Sequence, residues 1–357
     1  MTHQRPGAID CDLHPAVPSL AALLPYLEPH WREAVESRGL DDLRSIAYPP
    51  NAPISVRPDW RAAGEAVAGG ALAELRAHAL DPFGTQLAIG NCLYAVPMLF
   101  SEDFAAGLAR AVNGWMAREW LDAEPRLRAS IVVSPQNAEL AVDEIERCAA
   151  DPRFVQVLLP VADELPPGRR QHWPIYQAAA RHGLPVGFHA GSTYKHPPTS
   201  VGWPSLVSED HVGQAQAFQS ALTSLVVEGV FAKIPALRVV LLESGVTWLP
   251  AHLWRLTKFW RGLRMEVPWV DRPPAEIVRA HVRLTAQPLD APADPALLAR
   301  LLDQLGSDEL LLFATDYPHW QFDGLAALPA GLSPALAQKM MIDNPRATYP
   351  RLTESVA

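Results

Sequence analysis

The chain has 357 residues, of which 49% are apolar and 19% charged, and its net charge is −9. This composition supplies a substantial core, and the acidic balance without a Lys/Arg block argues against nucleic acid and membranes as partners. Three isolated cysteines, no apolar leader and no 18-residue apolar run predict a cytoplasmic protein without disulfides.

Eight short apolar segments follow turn signals and have the length of β-strands. Several are apolar at nearly every position, which is typical of parallel strands that are covered on both faces. In chain order they are Ala8–Asp12, Gln86–Gly90, Ala129–Val133, Phe154–Leu159, Pro185–His189, Arg238–Leu242, Val282–Ala286 and Leu310–Thr315.

Helical patterns lie between these strands. Apolar residues recur at helical spacing in Glu139–Ala150, Trp248–Gly262 and Ala296–Leu305, and the last pattern stops at Gly306. The alternation predicts a single domain over residues 1–357 with the (β/α)8 TIM-barrel fold. A doubly wound open sheet is the alternative, but no Gly-x-Gly-x-x-Gly turn follows any predicted strand.

Two segments exceed ordinary loop length, residues 15–85 after the first strand and residues 190–214 after the fifth. Both leave from carboxyl ends of strands, the face on which barrel enzymes build active sites, so we expect inserted lids or subunit contacts. Four side chains in them are candidates for substrate binding, with ordinary loop anchoring as the alternative for each: Arg57, Trp60, His196 and Trp203.

Polar residues close several of the predicted strands. Asp12 and His14 share one face of the first strand, because side chains alternate, while His189 ends the fifth strand and Asp316 follows the eighth. Carboxylates and imidazoles together suit zinc, iron or manganese. Each residue has a structural alternative: a surface turn for the first pair, a core position for His189 and a helix N-cap for Asp316. Their convergence on one face predicts a metal site.

Three further side chains are candidates for the same face. Glu243 closes the sixth strand and suits the role of general base, second-metal ligand or hydrogen-bond orienter. Gln287 closes the seventh strand and is a candidate for substrate binding. His319 lies three residues after Asp316 and is able to reach the same space, with a surface turn as its alternative.

These residues resemble the amidohydrolase-related family, the branch of the amidohydrolase superfamily that includes aminocarboxymuconate semialdehyde decarboxylase and resorcylate-type decarboxylases. The resemblance covers nearly the whole chain and implies a (β/α)8 barrel with one divalent metal at its mouth, often as a homodimer. The segments that carry it are Asp12-Leu13-His14, Phe188-His189-Ala190-Gly191, Gly229–Pro235, Leu242–Pro250, Thr315–His319 and Asn344–Tyr349.

The resemblance also implies roles for single residues. The family's first ligand pair, His-x-His or Glu-x-His, falls on Asp12 and His14, and its strand-five ligand falls on His189. Its strand-eight ligand, which is also a proton carrier, falls on Asp316. The decarboxylases have a catalytic His on strand six, where this chain has Glu243. No Lys closes strand four, so a carboxylated-Lys bridge between two zinc ions is unsupported.

We therefore expect a metal-dependent hydrolase or carboxy-lyase that acts on a small carboxylated, aromatic or cyclic substrate through metal-activated water and a carboxylate base. Zinc is the first expectation, with manganese, iron or a second metal as alternatives. Asp316, Glu243 and His319 are the predicted catalytic residues, and Glu243 is also a candidate ligand beside the four above.

Two other hypotheses stay open. One is a dinuclear iron or manganese/iron oxygenase on the same barrel, in which Glu243 and His319 hold the second metal. The other is a catalytically inactive barrel subunit that partners an active paralogue in a heteromer.

Overall fold

A computed structural model describes residues 7–40, 56–60, 67–320, 328 and 331–353 of the protein. Eight parallel strands form one sheet, and their order in the sheet is their order in the chain. The strands are β1 (Ile9–Leu13), β2 (Leu87–Gly90), β3 (Leu127–Val132), β4 (Phe154–Ala162), β5 (Val186–Ser192), β6 (Val239–Leu242), β7 (Val282–Thr285) and β8 (Leu311–Leu312).

Backbone hydrogen bonds join the first strand to the segment of β8 and close the sheet. The amide of Cys11 donates to the carbonyl of Phe313 at 2.9 Å, and the amide of Asp316 donates to the carbonyl of Asp12 at 2.9 Å. The amide of His14 donates to the carbonyl of Tyr317 at 2.8 Å. The predicted (β/α)8 barrel is confirmed, and the open doubly wound sheet is wrong, because the first and last strands meet.

Helices connect the strands, as a parallel sheet requires. They are α1 (Pro29–Arg38), α2 (Leu72–Leu75), α3 (Glu102–Trp115), α4 (Ala138–Cys148), α5 (Trp173–Arg181), α6 (Val207–Val227), α7 (Val230–Lys233), α8 (Leu249–Leu263), α9 (Pro274–His281), α10 (Pro295–Leu305), α11 (Pro334–Gln338) and α12 (Asn344–Thr348). None of these described helices has the length and apolar character needed to span a bilayer.

Local sequence explains where the predicted helices begin and end. The side chain of Asn137 accepts hydrogen bonds from the first amides of α4, and that of Asp294 does the same for α10. The helix α10 ends at Gly306, which has a φ of 68°, a conformation that suits glycine.

The last strand is shorter than the sequence predicts. Leu310–Thr315 is expected as a strand, but only Leu311–Leu312 is regular. The amide of Thr315 donates to the carboxylate of Asp10 at 3.0 Å instead of a strand carbonyl, and Asp316 turns the chain with a φ of 55°. A side chain thus replaces part of the ladder where β1 and β8 meet.

The two long segments are partly built of regular structure. In residues 15–85, the chain forms 3₁₀ turns at Leu20–Tyr26 and Pro58–Trp60 together with α1 and α2, while residues 41–55 and 61–66 lie outside the described residues. In residues 190–214, β5 continues to Ser192 and α6 begins at Val207, so the connecting loop itself is residues 193–206. The wider segment 190–214 stays a prediction as an inserted lid or subunit contact.

The contact between Asp10 and Thr315 generates a testable prediction. The hydroxyl of Thr315 donates to Asp10 Oδ2 at 2.6 Å, and both residues are fully buried. Thr315→Val leaves a buried carboxylate oxygen without this donor, so we expect the free energy of unfolding to fall by about 1–3 kcal/mol. Urea denaturation followed by circular dichroism measures it.

Thr257→Val is the matched control. The buried hydroxyl of Thr257 has no hydrogen-bond partner among the described residues, so its removal is expected to be neutral or stabilising. Equal losses in both variants would contradict the assignment of the Asp10–Thr315 bond as a closure contact.

Candidate metal centre

The carboxyl ends of three strands bring four donor side chains to one point. β1 contains Asp12 and ends just before His14, β5 contains His189, and Asp316 follows β8. One oxygen or ring nitrogen of each lies within 4.8 Å of the others, and all four side chains are buried. The structure thus brings together the four residues that the sequence analysis predicts as ligands, and their binding of a metal stays a prediction.

Short distances join these four donors. His14 Nε2 lies 2.8 Å from Asp316 Oδ1 and 3.4 Å from Asp12 Oδ1. His189 Nε2 lies 3.8 Å from the other oxygen of Asp12, Oδ2. Two carboxylates and two imidazoles therefore face one shared space.

A hydrogen bond from Nδ1 to a backbone carbonyl orients each imidazole, so that Nε2 faces the shared space. His14 Nδ1 lies 2.9 Å from the carbonyl oxygen of Asn91, and His189 Nδ1 lies 2.7 Å from that of Ala190. A carbonyl oxygen only accepts, so each Nδ1 carries a proton and each Nε2 is left for the shared space. Metal-binding histidines are held in this way in proteins.

Unsatisfied polar atoms support a cation at this point. Asp12 Oδ2 and His189 Nε2 are buried and have no hydrogen-bond partner among the described residues. The two atoms lie 3.8 Å apart, and buried polar groups of this kind are costly unless a partner satisfies them. A set of two carboxylates and two imidazole nitrogens fits a divalent transition metal.

The pKa values reflect the concentration of charge. Burial alone would lower the pKa of His14, but the carboxylates of Asp12 and Asp316 outweigh it and raise that pKa to about 10. Burial, with the positive charge of His14, lowers the pKa of His189 to about 3, so this imidazole is neutral. Burial raises the pKa of Asp12 to about 6, whereas His319 and His14 overcome burial and hold the pKa of Asp316 below its usual range.

A second donor set shares Asp316 with the first. Glu243, Asp316 and His319 offer ligand atoms that lie within 4.8 Å of one another. His319 Nδ1 is 2.9 Å from Asp316 Oδ1 and 3.8 Å from Glu243 Oε2, and Glu243 Oε2 is 3.5 Å from His189 Nε2. The structure therefore brings the predicted residues Glu243 and His319 beside the first four.

Two of these carboxylates stand on unusual backbone. Glu243 has a φ of 57° and Asp316 a φ of 55°, both in the left-handed region that residues other than glycine seldom adopt. The amide of Glu243 donates to Thr285 Oγ1 at 3.0 Å, and this bond to β7 helps to hold the turn. Strained residues of this kind cluster at functional sites, where they aim a side chain.

The predicted substrate-binding residues of the first insertion lie behind the Asp316 turn. The ring of Trp60 is buried and lies 5.0 Å from that of Tyr317, centroid to centroid. The guanidinium of Arg57 lies 4.7 Å from the Trp60 ring, and the amide of Arg57 donates to the carbonyl of Pro318 at 3.0 Å. Both residues thus anchor the insertion to the turn, and a role in substrate binding stays a prediction.

The other three candidates occupy different settings. Gln287 is buried just after β7. The ring nitrogens of His196 lie against the carbonyl oxygens of Asp163 and Pro197, which holds it within its loop. Trp203 exposes 48% of its surface. The contacts of His196 are those of a loop anchor.

Two residues near the centre were not predicted. Asn91 follows β2 and contacts both Asp12 and His14. The sequence indicates it in the same way as the residues at the other strand ends, by a polar residue after an apolar run. His211 lies in α6, and its pKa is lowered by burial and by the charge of His319 while Asp316 opposes the shift. Its helical position, inside a segment predicted as a loop, concealed it.

A small cleft of about 30 Å³ opens beside His189. Its walls come from the residues after β2 and from β3, β4 and β5, and they are mainly apolar, with Tyr94 and Ser192 as polar exceptions. Ligand sites in proteins have this character, apolar walls with a few polar groups.

The chain is similar to known proteins in sequence and in fold. Residues 9–351 match the family model described as amidohydrolase. A gamma-resorcylate decarboxylase of Rhodococcus jostii is 26% identical over 250 residues, which are 63% of this chain and 70% of that protein.

Solved structures share the fold. One is a dihydroxybenzoic acid decarboxylase of Polaromonas sp. with bound manganese and the inhibitor 2-nitroresorcinol, with a TM-score of 0.66, 20% identity and coverage of 98% of both chains. Another is a 5-carboxyvanillate decarboxylase of Novosphingobium aromaticivorans with manganese and 4-hydroxy-3-methoxy-5-nitrobenzoic acid, with a TM-score of 0.70, 18% identity and coverage of 98% of this chain and 97% of that one.

The donor set predicts the metal content of the protein. After purification without chelators or a metal-binding tag, mass spectrometry is expected to find about one divalent ion per chain for a single four-donor site. His189→Ala removes a neutral nitrogen donor and is expected to reduce the metal to the level of the buffer.

His182→Ala is the control, because His182 is a partly exposed residue that pairs with Glu146 away from the centre. Retention of the metal by His189→Ala, in a folded protein, would contradict the assignment of this ligand.

Proposed function

The chain belongs to the amidohydrolase family, and we propose that it is a metal-dependent decarboxylase of a small aromatic carboxylate. The observation that carries the proposal is the buried set Asp12, His14, His189 and Asp316, in which Asp12 Oδ2 and His189 Nε2 lack a hydrogen-bond partner among the described residues. The similarity to a gamma-resorcylate decarboxylase supports decarboxylation over hydrolysis within this family.

Manganese is the first candidate for the metal. Two structures with the same fold contain manganese, and a donor set that is half carboxylate suits this ion. The expectation of zinc as the first choice is therefore replaced by manganese, with zinc and iron as alternatives. We further propose that the protein is a homodimer, which light scattering checks.

The chemistry requires an oxygen-binding cation and a proton carrier. When bound, the metal polarises an oxygen of the substrate and orients it at the barrel mouth. The bond between the ring carbon and the carboxyl carbon breaks, carbon dioxide leaves, and the electron pair that stays on the ring carbon takes a proton. The residues of the chain must hold that proton close to the carbon.

Asp316 is the proposed proton carrier, and Glu243 is the alternative. Asp316 Oδ1 lies between His14 Nε2 and His319 Nδ1, at 2.8 and 2.9 Å. The two imidazoles keep the pKa of this carboxylate low, so it would take the proton that it transfers from one of them. His319 orients the substrate and stabilises negative charge that develops there. Glu243 stands where the family resemblance implies a catalytic histidine, which leaves the proton transfer to carboxylates.

The cleft beside His189 is the proposed site of the aromatic ring. Its apolar walls, among them Leu158 and Pro160, exclude water from the ring, while the carboxylate end faces the donors. Gln287, Arg57, Trp60, Trp203 and His196 stay proposed for outer contacts.

Asp316→Asn tests the proposal. With manganese present, the wild type is expected to release carbon dioxide from one or more of resorcylate, related hydroxybenzoates and carboxyvanillate. Removal of the proton carrier is expected to lower kcat by roughly 10²–10⁴-fold, measured by coupled detection of carbon dioxide.

Asp308→Asn is the control, since Asp308 is an exposed residue that pairs with Lys339. No release from any aromatic carboxylate by the metal-loaded wild type would contradict the decarboxylase. Loss of turnover in a folded Asp316→Asn variant would exclude the inactive-subunit hypothesis.

A second candidate function is favoured by the second donor set. Glu243 and His319 lie beside Asp316 as ligands of a second metal would, and mixed carboxylate and imidazole ligation suits a dinuclear iron or manganese/iron oxygenase. In this alternative Asp316 would belong to both donor sets.

Glu243→Gln distinguishes the two functions. A dinuclear site predicts about two metals per chain in the iron-loaded wild type, about one in the variant, and oxygen uptake that the variant loses. A mononuclear decarboxylase predicts about one metal in both proteins. Metal analysis and an oxygen electrode provide the measurements.

A further inference from the structure

Asn91 holds both members of the Asp12–His14 pair. It follows β2 and is fully buried. Its side-chain amide donates to Asp12 Oδ1 at 2.8 Å, and its main-chain carbonyl accepts from His14 Nδ1 at 2.9 Å. Its own amide donates to the carbonyl of Leu13 at 2.8 Å. One residue thus fixes a carboxylate, an imidazole and the backbone between them.

A chain of buried side chains lies behind Asn91. Gln156 Nε2, from β4, donates to Asn91 Oδ1 at 3.1 Å and to Ser130 Oγ at 2.8 Å, and Ser130 Oγ, from β3, donates to Asn91 Oδ1 at 2.6 Å. The hydroxyl of Tyr349, which follows α12, donates to Gln156 Oε1 at 2.9 Å. All of these residues are buried, so water does not compete for the bonds.

A glycine provides the space for these hydrogen-bonded side chains. A Cβ atom on Gly187 of β5 would lie 2.6 Å from Cδ of Gln156 and 2.8 Å from Cδ1 of Leu242. The absence of a side chain at this position allows the amide of Gln156 to lie across the strand. The placement of Gln156 is therefore built into the barrel and does not depend on a loop.

The direction of the hydrogen bonds is fixed from end to end. The Nε2 group of Gln156 is committed to Asn91 and Ser130, which leaves Oε1 to accept from Tyr349. Asn91 Oδ1 therefore only accepts, and its Nδ2 points at Asp12. Every donor in the chain is oriented toward the carboxylate of Asp12, an arrangement in which the bonds polarise one another.

These hydrogen-bonded side chains determine which atoms face the proposed metal. Asp12 Oδ1 is occupied by Asn91, whereas Oδ2 has no partner among the described residues and lies 3.8 Å from His189 Nε2. The Asn91 carbonyl likewise keeps the proton of His14 on Nδ1 and leaves Nε2 toward Asp316. Without the Asn91 side chain, the carboxylate of Asp12 would be free to rotate, while the main-chain carbonyl would still accept from His14 Nδ1.

We propose that Asn91 is a positioning residue for the metal centre, and that Gln156, Ser130 and Tyr349 transmit its orientation from the barrel interior. The inference rests on the proposed function in that it assumes a cation at Asp12, His14, His189 and Asp316. Residues of this kind typically change metal affinity by about 10–100-fold when they are removed.

The test is a titration of the chelator-treated full-length protein with Mn²⁺ alone, by competition with a fluorescent chelator. Asn91→Ser is expected to raise the Kd for Mn²⁺ by about 10–100-fold. Tyr349→Phe, at the far end of the chain, is expected to raise it by about 2–10-fold, because one neutral hydrogen bond is lost. The visible spectrum of the Co²⁺-loaded protein is expected to shift in Asn91→Ser, since it reports ligand geometry.

Asn113→Ser is the matched control. Asn113 is also buried and makes as many side-chain bonds, to the backbone of Val132 and to Glu144, outside the donor set. We expect it to lower the melting temperature while the Kd and the Co²⁺ spectrum stay as in the wild type. A rise in Kd equal to that of Asn91→Ser would overturn the proposal, because general destabilisation would then explain both.

The remaining outcomes distinguish a failure of the positioning role of Asn91 from a failure of the metal centre. Wild-type affinity in a folded Asn91→Ser variant overturns the positioning role and leaves the metal centre intact. A wild type that binds no Mn²⁺ overturns the metal centre and the positioning role together. If Asn91→Ser does not fold, Tyr349→Phe decides, and an unchanged Kd in that variant refutes the proposal.

Discussion

Two buried carboxylates that face each other set the constraint for this molecule. Asp12 and Asp316 are both fully buried at the mouth of the barrel, where charge is costly to hold unless an opposite charge balances it. His14 lies between them, 3.4 and 2.8 Å from their oxygens. Because the carboxylates come from the first and last strands, the donor set forms only when the barrel closes. Closure of the fold and assembly of the centre are thus one event, and a bound cation would stabilise both.

Burial explains why much of the site was predictable. A polar residue after an apolar strand, such as Glu243 after Val239–Leu242, is unfavourable unless function or pairing retains it, and parallel strands present their carboxyl ends at one face. That reasoning identified the barrel and the residues at its mouth. Five strands lie within two residues of the predicted bounds, while β4 and β5 run three residues further. The eighth strand is shorter than predicted because the side chain of Asp10 replaces a ladder bond, and strand periodicity carries no trace of such a substitution.

Other features depend on contacts between distant segments. Asn91 follows its strand as Glu243 does, but an amide is neutral, so its burial is a weaker signal. Its partners lie on three other segments of the chain. Loop residues such as Trp203 and His196 have no periodic pattern that would indicate their orientation. The identity of the metal could not be predicted from the sequence either, because carboxylates and imidazoles bind several divalent ions.

The position of Asp316 links the number of metals to the reaction. In the dinuclear alternative Asp316 would be shared by two cations, which would lower its proton affinity further than the two imidazoles do. It would then be a poor carrier of the proton that must replace carbon dioxide. A carboxylate beside one cation, with His319 at 2.9 Å, keeps an imidazole through which a proton can pass. Under the two proposed functions, the same six side chains would serve decarboxylation with one metal or oxygen chemistry with two, but not both in one state. The choice depends on Glu243, whose left-handed backbone places its carboxylate 3.5 Å from His189 and within reach of either donor set.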